Sequence, residues 1–116
     1  MSTTIENPEY ALDLSPGSLQ AQCLAIIRAE RWIEESTLLG RIFPGPKFPE
    51  VRTPEAVEAW RKADEDWKAK AFYKAGVVEY RDCMSSRISC ATIALRRAGL
   101  IHTTNNGFNC YTYHAR

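Results

Sequence analysis

The side chains here with the widest chemistry are four cysteines and two histidines: Cys23, Cys83, Cys90, Cys110, His102 and His114. Two chemistries arise from such residues. A thiolate beside a histidine base is a nucleophile, and thiolates with imidazoles hold zinc. The spacing Cys83-x6-Cys90, then His102, then Cys110-x3-His114 lacks the close C-x2-C pairs of structural zinc sites. On one continuous helix Cys83 and Cys90 would lie two turns apart. The N-terminus, Met1 to Pro8, has neither the basic start nor the apolar run of a signal peptide. A cytoplasmic location is therefore expected, with the cysteines as buried or half-buried thiols and not a disulfide framework. A cysteine nucleophile with His102 or His114 has no local signature, and His102 is expected as a surface or cross-strand residue. G-x-S-x-G, Walker A, H-E-x-x-H and G-x-G-x-x-G are all missing. The chain is expected to be non-enzymatic, without metal or cofactor.

The second group with chemical content is basic. Net charge is +1 over 116 residues, but its distribution is uneven. Residues 1–79 carry 10 Lys+Arg against 13 Asp+Glu, whereas residues 80–116 hold Arg81, Arg87, Arg96, Arg97 and Arg116 against Asp82. A basic end on a near-neutral chain points to an acidic partner, either nucleic acid or an acidic protein face. Solvation of a helix surface is the competing reading of the same arginines.

The elements that would carry these residues are set by caps and stops. Residues 1–14 are expected as an N-terminal tail or docking strand, and 15–116 as a single helical domain. A first long helix starts at Ser15-Pro16-Gly17-Ser18, keeps an apolar rhythm from Leu19 to Leu39 and stops at Gly40. Phe43-Pro44-Gly45-Pro46-Lys47-Phe48-Pro49 excludes helix and central strand, and its phenylalanines are expected to pin a loop. A second long helix opens at Thr53-Pro54-Glu55. It carries acid-before-base pairs, Asp64–Lys68 among them. Val77 to Met84 can extend it past Gly76, and Ser85-Ser86 either caps a new helix or bends this one. A shorter third helix ends at Arg96-Arg97-Ala98-Gly99, with Leu100 making the closing apolar contact. Asn106-Gly107 then predicts a C-terminal two-stranded hairpin with a two-residue turn, pairing His102 with Tyr111 and Ile101 with Thr112. The fold class expected is mainly α with a small β-hairpin. No apolar run is long enough to span a membrane.

Residues 89–113 resemble the recognition helix and wing of winged helix-turn-helix proteins. The phrase Ala94-Leu95-Arg96-Arg97-Ala98-Gly99-Leu100-Ile101 runs into a wing from Ile101 to Tyr113. In that family the helix belongs to a compact three-helix unit; here a longer paired-helix body is expected upstream. The helix face enters the major groove and the wing touches backbone or minor groove. The resemblance implies that Arg87, Ser89 and Thr92 reach DNA, with Arg96, Asn105 and Asn106 near phosphate; Arg81 and Arg97 add charge to the same surface. In overall character the chain is similar to small phage and mobile-element proteins such as anti-CRISPR inhibitors. That implies an alternative, in which Trp60, Trp67, Tyr73 and Tyr80 form an aromatic helix face. This face would block a host machine such as a CRISPR effector, whereas in the reading through the basic end an acidic protein partner would be a nucleic-acid-binding host protein. Homo-oligomerisation through such a face is a further expectation.

Overall fold

A computed structural model describes residues 10–72, 76, 79–107 and 110–116, apart from the side chain of Arg81. Among the described residues there are four α-helices and one three-stranded antiparallel sheet: α1 (Leu19–Glu30), β1 (Trp32–Glu34), α2 (Glu35–Ile42), α3 (Pro54–Ala71), α4 (Met84–Arg97), β2 (Ile101–Asn105) and β3 (Tyr111–Ala115). The chain divides into two compact units, residues 1–42 with 88–116, and residues 43–87. No helix in the described residues is long and apolar enough to cross a membrane.

The first unit corrects the expected single long helix. Ser18 caps α1, its hydroxyl accepting from Ala21 N at 3.1 Å. The helix ends at Arg31, which adopts φ 70 and turns the chain into β1. A side chain at such a φ costs about 1–2 kcal/mol, and the strand it starts repays this by joining the sheet. Ile33 thus faces the core from a strand, and Gly40, expected as a helix stop, lies within α2. The segment before α1 is tied down by Gln20: its Nε2 donates to Ala11 O and its Oε1 accepts from Asp13 N, both at 2.8 Å.

The sheet order is β1-β3-β2, so the expected two-stranded hairpin gains a third strand. Its register is also different. Ile101 pairs with Ala115, His102 with His114, Thr103 with Tyr113 and Asn105 with Tyr111. Asn106 N donates to Cys110 O at 2.8 Å and Cys110 N to Gly107 O at 2.9 Å, so the connection is longer than a two-residue turn. Two asparagine side chains hold it: Asn105 Oδ1 accepts from Gly107 N, and Asn106 Nδ2 donates to Thr112 Oγ1. Gly107 has φ +94, a conformation glycine enters without steric cost. The observed register puts Ile101 and Tyr113 on the inner face beside Ile33. A slip by an odd number of residues would turn one strand's buried set to solvent. Trp32, His114 and His102 line up on the opposite face. With Cys23, Leu24 and Ile27 of α1, Leu38 and Leu39 of α2, and Ile88, Ala91, Ala94 and Leu95 of α4, the inner-face residues are buried.

The second unit is organised on α3. Thr53 caps it, accepting from Ala56 N at 3.1 Å, with Pro54 at the first helical position, as expected. α3 ends at Ala71 with Phe72 as its C-cap and Gly76 has φ +80; the extension past Gly76 that the sequence left open falls partly on residues 73–75 and 77–78, outside the described ones. The loop from Phe43 lies on the tryptophan face. Trp60 Nε1 donates to Pro46 O at 3.1 Å and Trp67 Nε1 to Phe43 O at 3.0 Å. Phe48 meets Trp60 edge-on at 5.0 Å between ring centroids. A Cβ on Gly45 would sit 3.5 Å from the Trp67 ring, an ordinary van der Waals contact, so the loop backbone lies directly against that ring. Asp64–Lys68 forms at 3.0 Å, while Arg61 pairs with both Glu58 and Glu65.

Candidate nucleic-acid interface

The helix carrying the candidate residues is fixed at both ends. At its start neither Ser85 nor Ser86 is the cap, one of the two roles the sequence left open for them; a thiol fills it, Cys83 Sγ accepting from Ser86 N at 3.4 Å and donating to Tyr80 O at 3.1 Å. At its end Leu100 N donates to Leu95 O and Gly99 N to Arg96 O, both at 3.0 Å, with Gly99 at φ +76. This is the Schellman ending that the Ala98-Gly99-Leu100 sequence predicts. It uses the last carbonyls of α4 and leaves the Arg96 and Arg97 side chains outside, where a cation also complements the helix dipole.

Arg96 and Arg97 are both exposed. The Arg97 guanidinium stacks over the Tyr10 ring at 4.8 Å. Such stacking is worth about 0.5–1 kcal/mol at an exposed site and holds the fork in one orientation. Ser89, Cys90 and Ile93 are half-buried and share the accessible side of the helix. Residues 88–116 hold Arg96, Arg97 and Arg116 with no Asp or Glu.

The other sequence-derived candidates scatter. Thr92 is 3% exposed and its hydroxyl donates to Ile88 O and Ser89 O, each at 3.0 Å, so it does not face a DNA groove. A threonine on a core-facing helix side satisfies its hydroxyl on the preceding turn. Asn105 and Asn106 use their side chains on the hairpin turn. Arg87 belongs to the second unit and lies over the Phe43 ring at 5.0 Å. Arg81 also belongs to that unit, and its side chain lies outside the described residues, as does all of Tyr73. In the alternative aromatic set, Trp60 and Trp67 are half-buried under their own loop, while Tyr80 is 63% exposed. The tryptophans therefore do not present an open aromatic helix face.

The cysteines and histidines also separate. His102 and His114 stack face to face across β2 and β3, ring centroids 4.5 Å apart, and His114 Nε2 is 2.9 Å from Thr104 Oγ1. Among the described residues no three His, Cys, Asp or Glu side chains gather where they could hold a metal ion. Cys23 is fully buried, and that burial pushes its thiol up to about 12. Tyr113 is 3% exposed, and burial raises its phenol well above the usual range. Both protons come off far more easily in the unfolded chain, at about 8.5 for a thiol and about 10 for a phenol. The unfolded state therefore binds fewer protons at alkaline pH. Stability is expected to fall as pH rises through those values, and denaturant midpoints from neutral pH to about 10.5 check it. In the same series a thiol reagent at neutral pH should modify exposed Cys110 well before Cys23, which should react only on unfolding.

Sequence reasoning missed a second feature of α4. Tyr113 OH donates to Glu35 Oε2 at 2.8 Å, a contact between residues 78 apart in sequence. Burial of Tyr113 with Thr92 beside it, and Glu35 at the first turn of α2, place a carboxylate beside α4. No local pattern marks such a pair. Glu35 and Arg96 line one cleft of about 160 Å³ together with Ser89, Ile93, Thr103 and Tyr111.

Comparison with protein-family models, curated proteins and solved structures finds no match. The candidate site therefore rests on its own geometry.

Proposed function

We propose that this chain is a non-enzymatic binding protein that docks on nucleic acid through the end of α4, with the β2–β3 hairpin as a wing. The observation that carries the reading is the pair Arg96 and Arg97, exposed at the end of α4 within a 29-residue stretch, 88–116, that has three arginines and no carboxylate. Arginine forks match phosphate oxygens bidentately, and phosphate contacts supply most non-specific affinity for nucleic acid. The make-up of the first unit supports the same reading. It holds three helices, α1, α2 and α4, and the last runs directly into a hairpin. A compact three-helix unit followed by a wing is what the winged helix-turn-helix resemblance implies. In this reading Ser89, Ile93, Arg96 and Arg97 approach the duplex, and residues 43–87, which include the first turn of α4, form a separate unit.

Affinity capture from a cell extract, with and without nuclease, tests it. Nucleic acid should be recovered with the bait, and the proteins captured with it should disappear on nuclease treatment. One protein partner surviving nuclease, with no nucleic acid recovered, would replace this reading with that of an adaptor or inhibitor.

A further inference from the structure

We propose that the cleft between α4 and the sheet is a binding site for a small α-amino acid, recognised as a zwitterion. Arg96 and Glu35 both line it, yet they do not pair with each other. The ion pairs among the described residues are Arg41–Glu30, Arg61–Glu58, Arg61–Glu65 and Lys68–Asp64. Opposite charges lining one small cleft with no ion pair between them offer separate seats for an anion and a cation on the same molecule.

Each seat has the chemistry its half requires. The Arg96 guanidinium presents a planar fork that fits a carboxylate with two parallel hydrogen bonds. Glu35 is oriented by the Tyr113 hydroxyl on Oε2, which leaves Oε1 directed by that contact and able to accept from an ammonium. An ammonium has three protons to place, and the Ser89 and Thr103 hydroxyls of the same cleft are further acceptors. Tyr111 and Ile93 supply an apolar wall for a short side chain.

Size narrows the class. The cleft has a volume of about 160 Å³. That suits a molecule between glycine and threonine. It falls below the roughly 300 Å³ at which pockets for drug-sized ligands begin, so a nucleotide does not fit inside. The site goes beyond the nucleic-acid reading; it shares Ser89, Ile93 and Arg96 with it, and Glu35 belongs to this site alone.

Isothermal titration calorimetry on the full chain tests the proposal, with glycine, L-serine and L-threonine as probes and acetate and methylammonium as the separate halves. At least one amino acid should give saturable binding, and neither half should bind at the same concentration. Glu35→Gln keeps an acceptor for the Tyr113 hydroxyl while removing the charge, and Arg96→Gln removes the fork from an exposed position. Each should weaken the amino acid about tenfold or more, the usual effect of losing a charge-assisted hydrogen bond. A melting curve confirms that Glu35→Gln is folded; if it is not, Arg96→Gln decides. No saturable binding by any of the three amino acids overturns the proposal. So does acetate binding as tightly as the amino acids, or an affinity unchanged by the substitutions. Nucleic-acid binding measured on the same Glu35→Gln protein should persist, so failure of this site and failure of the docking reading give different results.

Discussion

Replacing Arg96 and Arg97 together by glutamate should weaken nucleic-acid binding about fiftyfold or more near 0.1 M salt. The figure comes from counterion release: each neutralised phosphate contributes about 0.9 to the slope of log K against log salt, so two contacts are worth about 1.8 decades at that concentration. Charge reversal adds repulsion to this loss. The fold should survive. Both side chains are exposed, and acids in the last turn oppose the helix dipole by about 0.3–1 kcal/mol each. Arg97→Glu also loses the contact with the Tyr10 ring, worth about 0.5–1 kcal/mol. Arg96→Lys with Arg97→Lys keeps the charge and loses the planar fork, so it should fall between the two. Fluorescence anisotropy of a labelled oligonucleotide, with a melting curve for each protein, checks all three. Unchanged affinity in a folded reversal variant would make these arginines a solvated face.

The largest expected loss of stability is Leu95→Ala, at about 3–4 kcal/mol by denaturant unfolding. Leu95 is 0% exposed, and Ala91 and Ala94 nearby on α4 are too short to fill the space it would leave. The cost is the lost transfer energy plus the cavity, which in leucine truncations together reach about 2.7–5 kcal/mol. Because Leu95 also supplies the carbonyl that receives Leu100 N, its side chain anchors the turn that sets Arg96 and Arg97 in place. Leu12→Ala, at a position 51% exposed, should change stability by less than about 0.5 kcal/mol. A similar loss at both positions would contradict the core assignment.

Features written in adjacent residues were legible. Thr53-Pro54 opens α3 and Ala98-Gly99-Leu100 closes α4, because caps and stops act over a few residues, whereas the 43–49 loop, expected to be pinned by its phenylalanines, is held by the Trp60 and Trp67 N–H groups on its carbonyls, with Phe48 46% exposed. The break at Arg31 was not. Leu19 to Leu39 keeps a helix-like apolar rhythm through it, since Ile33 on the strand and Leu38 and Leu39 on α2 face the same core. Nothing in Glu30-Arg31-Trp32 announces a positive φ. The hairpin's existence was legible in Asn106-Gly107, but not its register. That depends on which residues the third strand and α1 bury, and β1 lies about 70 positions upstream. Of the candidate site, Arg96 and Arg97 could be read from their place before Gly99. The inward turn of Thr92, and the Glu35–Tyr113 bond beside Arg96, arise only from tertiary packing.

The most direct measurement of the docking reading is the salt dependence of oligonucleotide binding for the wild type and for Arg96→Ala with Arg97→Ala. Both proteins are titrated with the same duplex and the same single strand over about 0.02–0.2 M salt. The slope of log K against log salt should become shallower in the variant by about 1.8 on the duplex and about 1.4 on the single strand, the loss of two phosphate contacts. No binding by the wild type to either oligonucleotide at the lowest salt, or equal slopes for the two proteins, would contradict it.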